Sequence, residues 1–600
     1  MATTVDVRLD DDQRAPVDCR APAVLVTASA GSGKTEVVAQ RVERLLAAAP
    51  ESNARTLSLS YTVKAAEELR QRFERRLGDA SRRVDTDTVH GFAHSLLRTS
   101  GTWIGLPEEP EILGRDEDRV ELLSRWLADE GAQYEDDTLR DRLRELDLVR
   151  SRCEVDETGL LAEWEAALSA SGALDYAAMI SRATELVRLP AARRQLSRLY
   201  EHVIVDEAQN LTRAQYRLLA AVFGPPPLTD MSAMLVGDDK QSIVGFAGGD
   251  PSLMREFAQD YEASHFVLTR NYRSARRIVR LAGDVADILG HEGPRDEITY
   301  AAEGSVQCHV SPSEEAEGDL VADWVMELLS HGLPSASLVP GEQEEVRPEH
   351  IAVLGRSAAA LRATRLALEE RGEDPAIAIG VDDWLTTEAG EVALNLVAVA
   401  SANHASPRWR LSRILDEDES ELGTLADVGR RLSARTDTLR HLASLCAADD
   451  PADFAAGLAE VAIEDDPNWE GDRRQLNDAW DGFTRGHDLD ARTWGNFQVF
   501  LNRIQRSQDL TPGVRLLTVH KAQGREYRAV AIVGLNDRQF PDFRAKTESE
   551  RTAELRAFYV AVSRPTRILL LTRSETRMTR SGIWRPDPSP FMAIALGHGA

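Results

Sequence analysis

A lysine and a threonine behind a run of small residues, in TASAGSGKTEVV (27 to 38), suit the holding of a triphosphate. Backbone N–H groups of Ala30, Gly31, Ser32 and Gly33 can wrap phosphates at a helix N-terminus, Lys34 can reach the β and γ phosphates, and the Thr35 hydroxyl can bind Mg²⁺. In VIVDEAQ (203 to 209), Asp206 can hold Mg²⁺ through water and Glu207 can accept a proton from an attacking water. LVGDDKQSI (235 to 243) offers the Gln241 amide as a sensor of the γ phosphate. RNYRSARRI (270 to 278) and FYVAVSRPTR (558 to 567) each present an arginine, Arg273 and Arg564, of the kind that stabilises charge developing in phosphoryl transfer. Taken singly, an Asp-Glu turn or an arginine is ordinary surface chemistry. Taken together, these groups describe nucleotide hydrolysis.

Short apolar, β-rich runs must position them, each ending in a polar or glycine turn. The first series is AVLVTA (23 to 28), TLSLSY (56 to 61), HVIVDEA (202 to 208), AMLVGDD (233 to 239) and HFVLTRN (265 to 271). The second is HIAVLGR (350 to 356), VRLLTVHK (514 to 521), AVAIVGL (529 to 535) and RILLLTR (567 to 573). Continuous apolar runs alternating with helical segments imply parallel sheets covered on both faces. The polar signatures sit at the carboxyl ends of the runs, where such sheets bind ligands. Residues 115 to 200 and 388 to 510 instead read as amphipathic helices, which makes them helical insertions into two α/β cores.

The totals bound the rest. At 600 residues the chain exceeds one core, and roughly 150 residues per domain implies about four domains or subdomains. With 42% hydrophobic and 28% charged residues the composition is that of a globular protein. No apolar stretch approaches the roughly 20 residues a spanning helix needs, and MATTVDVRLDDDQ does not resemble a secretion signal, so a cytosolic location with no membrane partner is expected. Cys19, Cys153, Cys308 and Cys446 are scattered and indicate neither a disulfide framework nor a metal site. The net charge of -28 excludes a general basic coat for nucleic acid, but not a narrow local track for one strand. Five lysines stand against 66 arginines, and four of them, Lys34, Lys64, Lys240 and Lys521, fall within motif-like stretches.

The order of the motifs is more specific than any one of them. QRAPV, ASAGSGKT, SYTVKAAEEL, TVHGFAHSLL, VIVDEAQNL, VGDDKQSI, LTRNYRS, LLTVHKAQGREY and FYVAVSRPTR resemble, in sequence and in order, the motifs of superfamily 1 helicases of the UvrD, PcrA and Rep type, over residues 9 to about 592. The resemblance implies two RecA-like parallel-sheet cores of the P-loop type, each with a helical insertion, ATP and Mg²⁺ in the cleft between them, and 3′ to 5′ movement on single-stranded DNA. It implies these spans: 1–106 and 191–270 for the first core, 107–190 for its insertion, 271–385 and 511–600 for the second core, and 386–510 for its insertion.

The same resemblance carries roles onto residues. Gln13 matches the adenine-reading glutamine, Tyr272 the tyrosine that stacks on the base, and Glu526 a glutamate near the ribose. Gly31, Gly33, Lys34 and Thr35 match the phosphate loop, Asp206 and Glu207 the magnesium and catalytic carboxylates, and Gln241, Arg273 and Arg564 the γ-phosphate sensor and the arginine fingers. Tyr61, Thr62, His90, Phe246, Thr518 and His520 fall where the family contacts single-stranded DNA. The chain departs from the family at Ala28, Val63, Val244 to Gly248 and Gln523, and DEDESE (416 to 421) stands where relatives touch duplex phosphates. Single-stranded and tailed duplex DNA are the implied partners in repair or recombination. A motor subunit similar to that of the Gabija anti-phage system, acting with a separate nuclease, and a nucleotide-gated DNA sensor without processive unwinding are the alternatives.

Overall fold

The computed structural model describes residues 9–378 and 513–597, apart from residues 51, 108, 109, 115, 130, 131, 133, 291–294, 374, 580 and 581. Within them lie two sheets of six strands each. The first contains β1 (Ala23–Ala28), β2 (Arg55–Ser60), β3 (Val84–Thr88), β4 (Tyr200–Val205), β5 (Ser232–Gly237) and β6 (Ser264–Leu268), in the order β3-β2-β4-β5-β1-β6. All its pairings are parallel. The second contains β7 (Ser305–Ser311), β8 (Ile351–Gly355), β9 (Ala376–Ala378), β10 (Arg515–Thr518), β11 (Tyr527–Ile532) and β12 (Pro565–Ser574), in the order β7-β12-β11-β8-β10-β9. From β7 through β10 its pairings are parallel as well.

The expected pair of parallel-sheet cores is therefore present, and burial explains why the sequence runs are so apolar. Val24, Val26, Val203, Leu235 and Val236 in the first sheet, and Ile351 to Leu354 with Ala529 to Ile532 in the second, have almost no exposed surface. Helices cover both faces, so each strand residue meets protein whichever way it points. All nine apolar runs are strands. The three strands not expected from the sequence, β3, β7 and β9, each lie at an edge of their sheet, where segments such as VDTDT and SVQCHVS need only one buried face.

Residues 107 to 190 form helices Asp116–Asp129, Asp136–Arg152, Leu160–Ser171 and Tyr176–Arg188, with a two-stranded pairing of Glu111–Leu113 and Ala173–Asp175. A buried charge cluster ties them together. Asp175 Oδ2 accepts from Arg150 Nη1 at 2.7 Å and from the indole Nε1 of fully buried Trp164 at 2.8 Å, while Oδ1 caps the last helix through the Ala178 N–H at 2.7 Å. Burial would raise the Asp175 pKa, but Arg150 and Arg119 outweigh it and hold it below the ordinary value. The helical stretch expected over 388 to 510 and its DEDESE patch lie outside the described residues.

Candidate nucleotide site

The candidate phosphate loop runs from the end of β1 to helix Lys34–Ala48. Gly31 and Gly33 have φ of 76° and 82°, in the left-handed region. A Cβ on Gly31 would also come within 2.8 Å of Arg273 Cβ, so that position needs glycine for its surroundings as well as its backbone. Lys34 Nζ donates to the Ala28 carbonyl at 3.1 Å and lies 4.0 Å from Asp238 Oδ2. The ammonium is thus parked inside the site.

Two segments clasp the loop from outside. Gln13, 5% exposed, donates from Nε2 to the Ser32 carbonyl at 2.9 Å, and its backbone N–H is capped by Asp10 at 2.7 Å. Beyond β6, Asn271 donates from Nδ2 to the Ala30 carbonyl at 2.8 Å, and the Tyr272 N–H donates to the Gly31 carbonyl at 3.0 Å. Tyr272 is 43% exposed, and its hydroxyl donates to Asp10. Sequence reading missed Asn271 and Asp10, whose types are common at turns and caps.

The carboxylates follow β4. Asp206 is buried, and burial together with the adjacent Glu207 raises its pKa to about 7 against the opposing pull of Lys34. Glu207 has φ 54°, uncommon for a residue with a side chain and a conformation costing of order 1–3 kcal/mol, which native contacts must sustain. Gln209 helps do so: its Nε2 donates to Glu207 Oε2 at 2.6 Å, while its Oε1 accepts from the Asp238 N–H at 3.0 Å.

Groups from the second sheet reach the same place. Arg564, 1% exposed, donates from Nη2 to Gln241 Oε1 at 2.8 Å and from Nε and Nη1 to the carbonyls of Val560 and Arg525, at 2.9 and 3.0 Å. Burial, with Arg273 nearby, lowers its pKa to about 10, still charged at neutral pH. Arg273 Nε pairs with Glu526 Oε2 at 2.5 Å. Gln523 donates from Nε2 to Asn210 Oδ1 and the Gln241 carbonyl, at 3.2 and 3.1 Å. Gln13, the loop, Tyr272, Arg273, Glu526, Gln241 and Arg564 thus form one cluster.

The candidate strand-binding residues are placed by strand ends instead. Tyr61 and Thr62 follow β2, and Thr62 caps helix Val63–Leu77 through the Ala65 N–H at 3.2 Å. His90, after β3, meets Tyr176 edge to face at 5.6 Å between centroids. Thr518 ends β10, and His520, in the turn beyond it, is pushed down to about 4 by burial and by Arg356. Phe246 lies in the turn Gly245–Ala247, between β5 and helix Ser252–Asp260. No described helix is long and apolar enough to cross a membrane.

Comparison with known proteins agrees with this geometry. The UvrD/REP helicase N-terminal domain matches residues 9–262, and the UvrD-like helicase C-terminal domain matches residues 496–576. DNA helicase II of Escherichia coli K12 is 26% identical over 95% of this chain and 85% of its own. DNA helicase II of Haemophilus influenzae is 25% identical over 98% and 86%, and the ATP-dependent DNA helicase PcrA of Staphylococcus aureus 23% over 97% and 86%. With both domains matched in order, on two parallel sheets that meet around one phosphate loop, the chain belongs to the UvrD/Rep family of helicases.

Proposed function

We propose that the chain is an ATP-dependent DNA helicase that moves 3′ to 5′ on single-stranded DNA and unwinds duplex ahead of it, in repair or recombination. The observation that carries this reading is the Arg564–Gln241 hydrogen bond, 2.8 Å long, which joins the second sheet's side to the tip of β5 beside the phosphate loop. A nucleotide held there would touch both cores, so its hydrolysis would alter how they meet. The core and insertion boundaries expected from the sequence form part of the same proposal.

Each residue then has a task. Lys34 leaves the Ala28 carbonyl for the β and γ phosphates, and Gln13 and Tyr272 hold the base. Thr35 and Asp206 would hold Mg²⁺, which supplies charge neutralisation at the phosphates; the raised pKa of Asp206 marks a buried carboxyl short of positive charge and fits such an ion. Glu207, oriented by Gln209, takes a proton from the attacking water. Arg273 exchanges Glu526 for phosphate, and Arg564 with Gln241 stabilises the charge that develops. Tyr61, Thr62, His90, Phe246, Thr518 and His520 hold the strand, with stacking of about 1–3 kcal/mol per base that is indifferent to sequence.

ATP turnover by the full chain, with and without single-stranded DNA, tests this. Stimulation by DNA supports the reading; turnover absent in both conditions contradicts it.

A further inference from the structure

Lys240 carries one of only five ammonium side chains in a chain rich in arginine, and it is 8% exposed. Its Nζ donates to Ser29 Oγ at 2.7 Å. Ser29 follows Ala28, whose carbonyl accepts from Lys34 Nζ at 3.1 Å. Two ammonium groups therefore rest on consecutive residues of the phosphate loop. Both also flank one buried carboxylate: Lys34 lies 4.0 Å from Asp238 Oδ2 and Lys240 4.0 Å from Asp238 Oδ1. Asp238, 1% exposed, meanwhile accepts from Gln241 Nε2 at 2.7 Å and so orients that amide.

We propose that Lys240 is a positioning residue for ATP binding, which shares the charge of Asp238 so that Lys34 can leave it for the phosphates. The proposal rests on the loop being the ATP site. A buried carboxylate stripped of its counter-ion is costly, so whatever remains beside Asp238 is held tightly. Without Lys240, the ion pairs of Asp238 within 4.0 Å among the described residues reduce to the one with Lys34. Every binding event would then have to draw Lys34 from the carboxylate, leaving it the neutral donors of the Gln241 amide and the residue 240 backbone N–H. Lys240 also anchors Ser29 to the tip of β5, through a compact head that the wider guanidinium fork of arginine does not reproduce.

The test compares the full chain with Lys240→Met, Lys240→Gln and the double variant Lys240→Met with Asp238→Asn. Affinity for fluorescent β,γ-imido-ATP is measured at equilibrium, kcat by ATP turnover, and folding by thermal melting. Each single variant is expected to lose at least about tenfold in affinity, the scale of one charge-assisted hydrogen bond, with kcat falling less. Asp238→Asn is expected to restore most of that loss, because no carboxylate then competes for Lys34 while the Asn oxygen still accepts from Gln241. Lys240→Gln keeps a donor for Ser29 without charge and serves if Lys240→Met does not fold. Unchanged affinity in a folded single variant, or no restoration in a folded double variant, would overturn the proposal. Because binding is read without turnover, a parental protein that binds the analogue but does not hydrolyse ATP counts against the motor reading alone.

Discussion

The guanidinium of Arg564 donates to the side-chain oxygen of Gln241 at 2.8 Å, and the two residues stand 323 positions apart in the chain. Gln241 donates in turn to Asp238 at 2.7 Å, and Asp238 lies 4.0 Å from the Lys34 ammonium. A short polar path thus runs from the second sheet's arginine to the phosphate lysine. The nucleotide would enter this path and rearrange it.

Lys34→Ala and Glu207→Gln are each expected to abolish ATP hydrolysis while the protein stays folded. Lys34 Nζ is held by the Ala28 carbonyl and Asp238 within the site, and the Glu207 amide isostere can still face Gln209. Turnover with saturating single-stranded DNA, with melting as a control, checks this. Parental turnover in either variant contradicts the assignment.

Arg273 and Arg564 should separate in a way their sequence motifs do not reveal. Both truncations are expected to cut turnover by roughly 10³–10⁵, the range for an arginine finger. Arg273 is a third exposed and pairs with Glu526, so Arg273→Ala should leave stability nearly unchanged. Arg564→Ala takes from the buried Gln241 oxygen the guanidinium that donates to it, and should lower stability as well, on the scale of about 1–3 kcal/mol for an orphaned buried group. Denaturant melts beside kinetics distinguish the two.

Asp175→Ala should be among the most destabilising substitutions in the helical region between β3 and β4. It leaves the Arg150 guanidinium and the Trp164 indole without their acceptor and removes a helix cap, and breaking such a buried pair costs about 3–5 kcal/mol. Since the partners of Asp175 are Arg150, Trp164, Arg119 and Ala178 rather than residues of the candidate nucleotide site, ATP affinity of the folded fraction should change little. Chemical denaturation and analogue binding measure the two effects.

His520 makes stability fall with acid. Its folded pKa of about 4 lies below the ordinary 6.5, so the unfolded chain takes up the proton first. The contribution is fully present above 6.5 and is lost as pH falls toward 4, by up to about 1.4 kcal/mol per pH unit. His520→Gln should flatten the decline between pH 6.5 and 4. An identical slope in parent and variant contradicts this.

Much of the fold was legible because buried parallel strands need apolar residues on both faces, and AVLVTA or AVAIVGL can hardly be anything else. The outer strands VDTDT and SVQCHVS were not, since one exposed face erases that signal. In the proposed site, GSGKT and DEAQ stand out in the sequence because the phosphate and metal chemistry proposed for them restricts residue type. Asn271, Gln209 and Asp10 were not, because their work is to hold backbone and side chains in place, and many polar residues could do it at the sequence level. Lys240 lay between these cases: its rarity singled it out, but only the structure joined it to Ser29.

Displacement of a labelled strand from duplexes with a single-stranded tail of either polarity, with ATP and Mg²⁺ present, tests the central claim most directly. Displacement is expected from the 3′-tailed duplex, none from the 5′-tailed one, and none from either with Glu207→Gln. Displacement confined to the 5′ tail, or retained by Glu207→Gln, would contradict it.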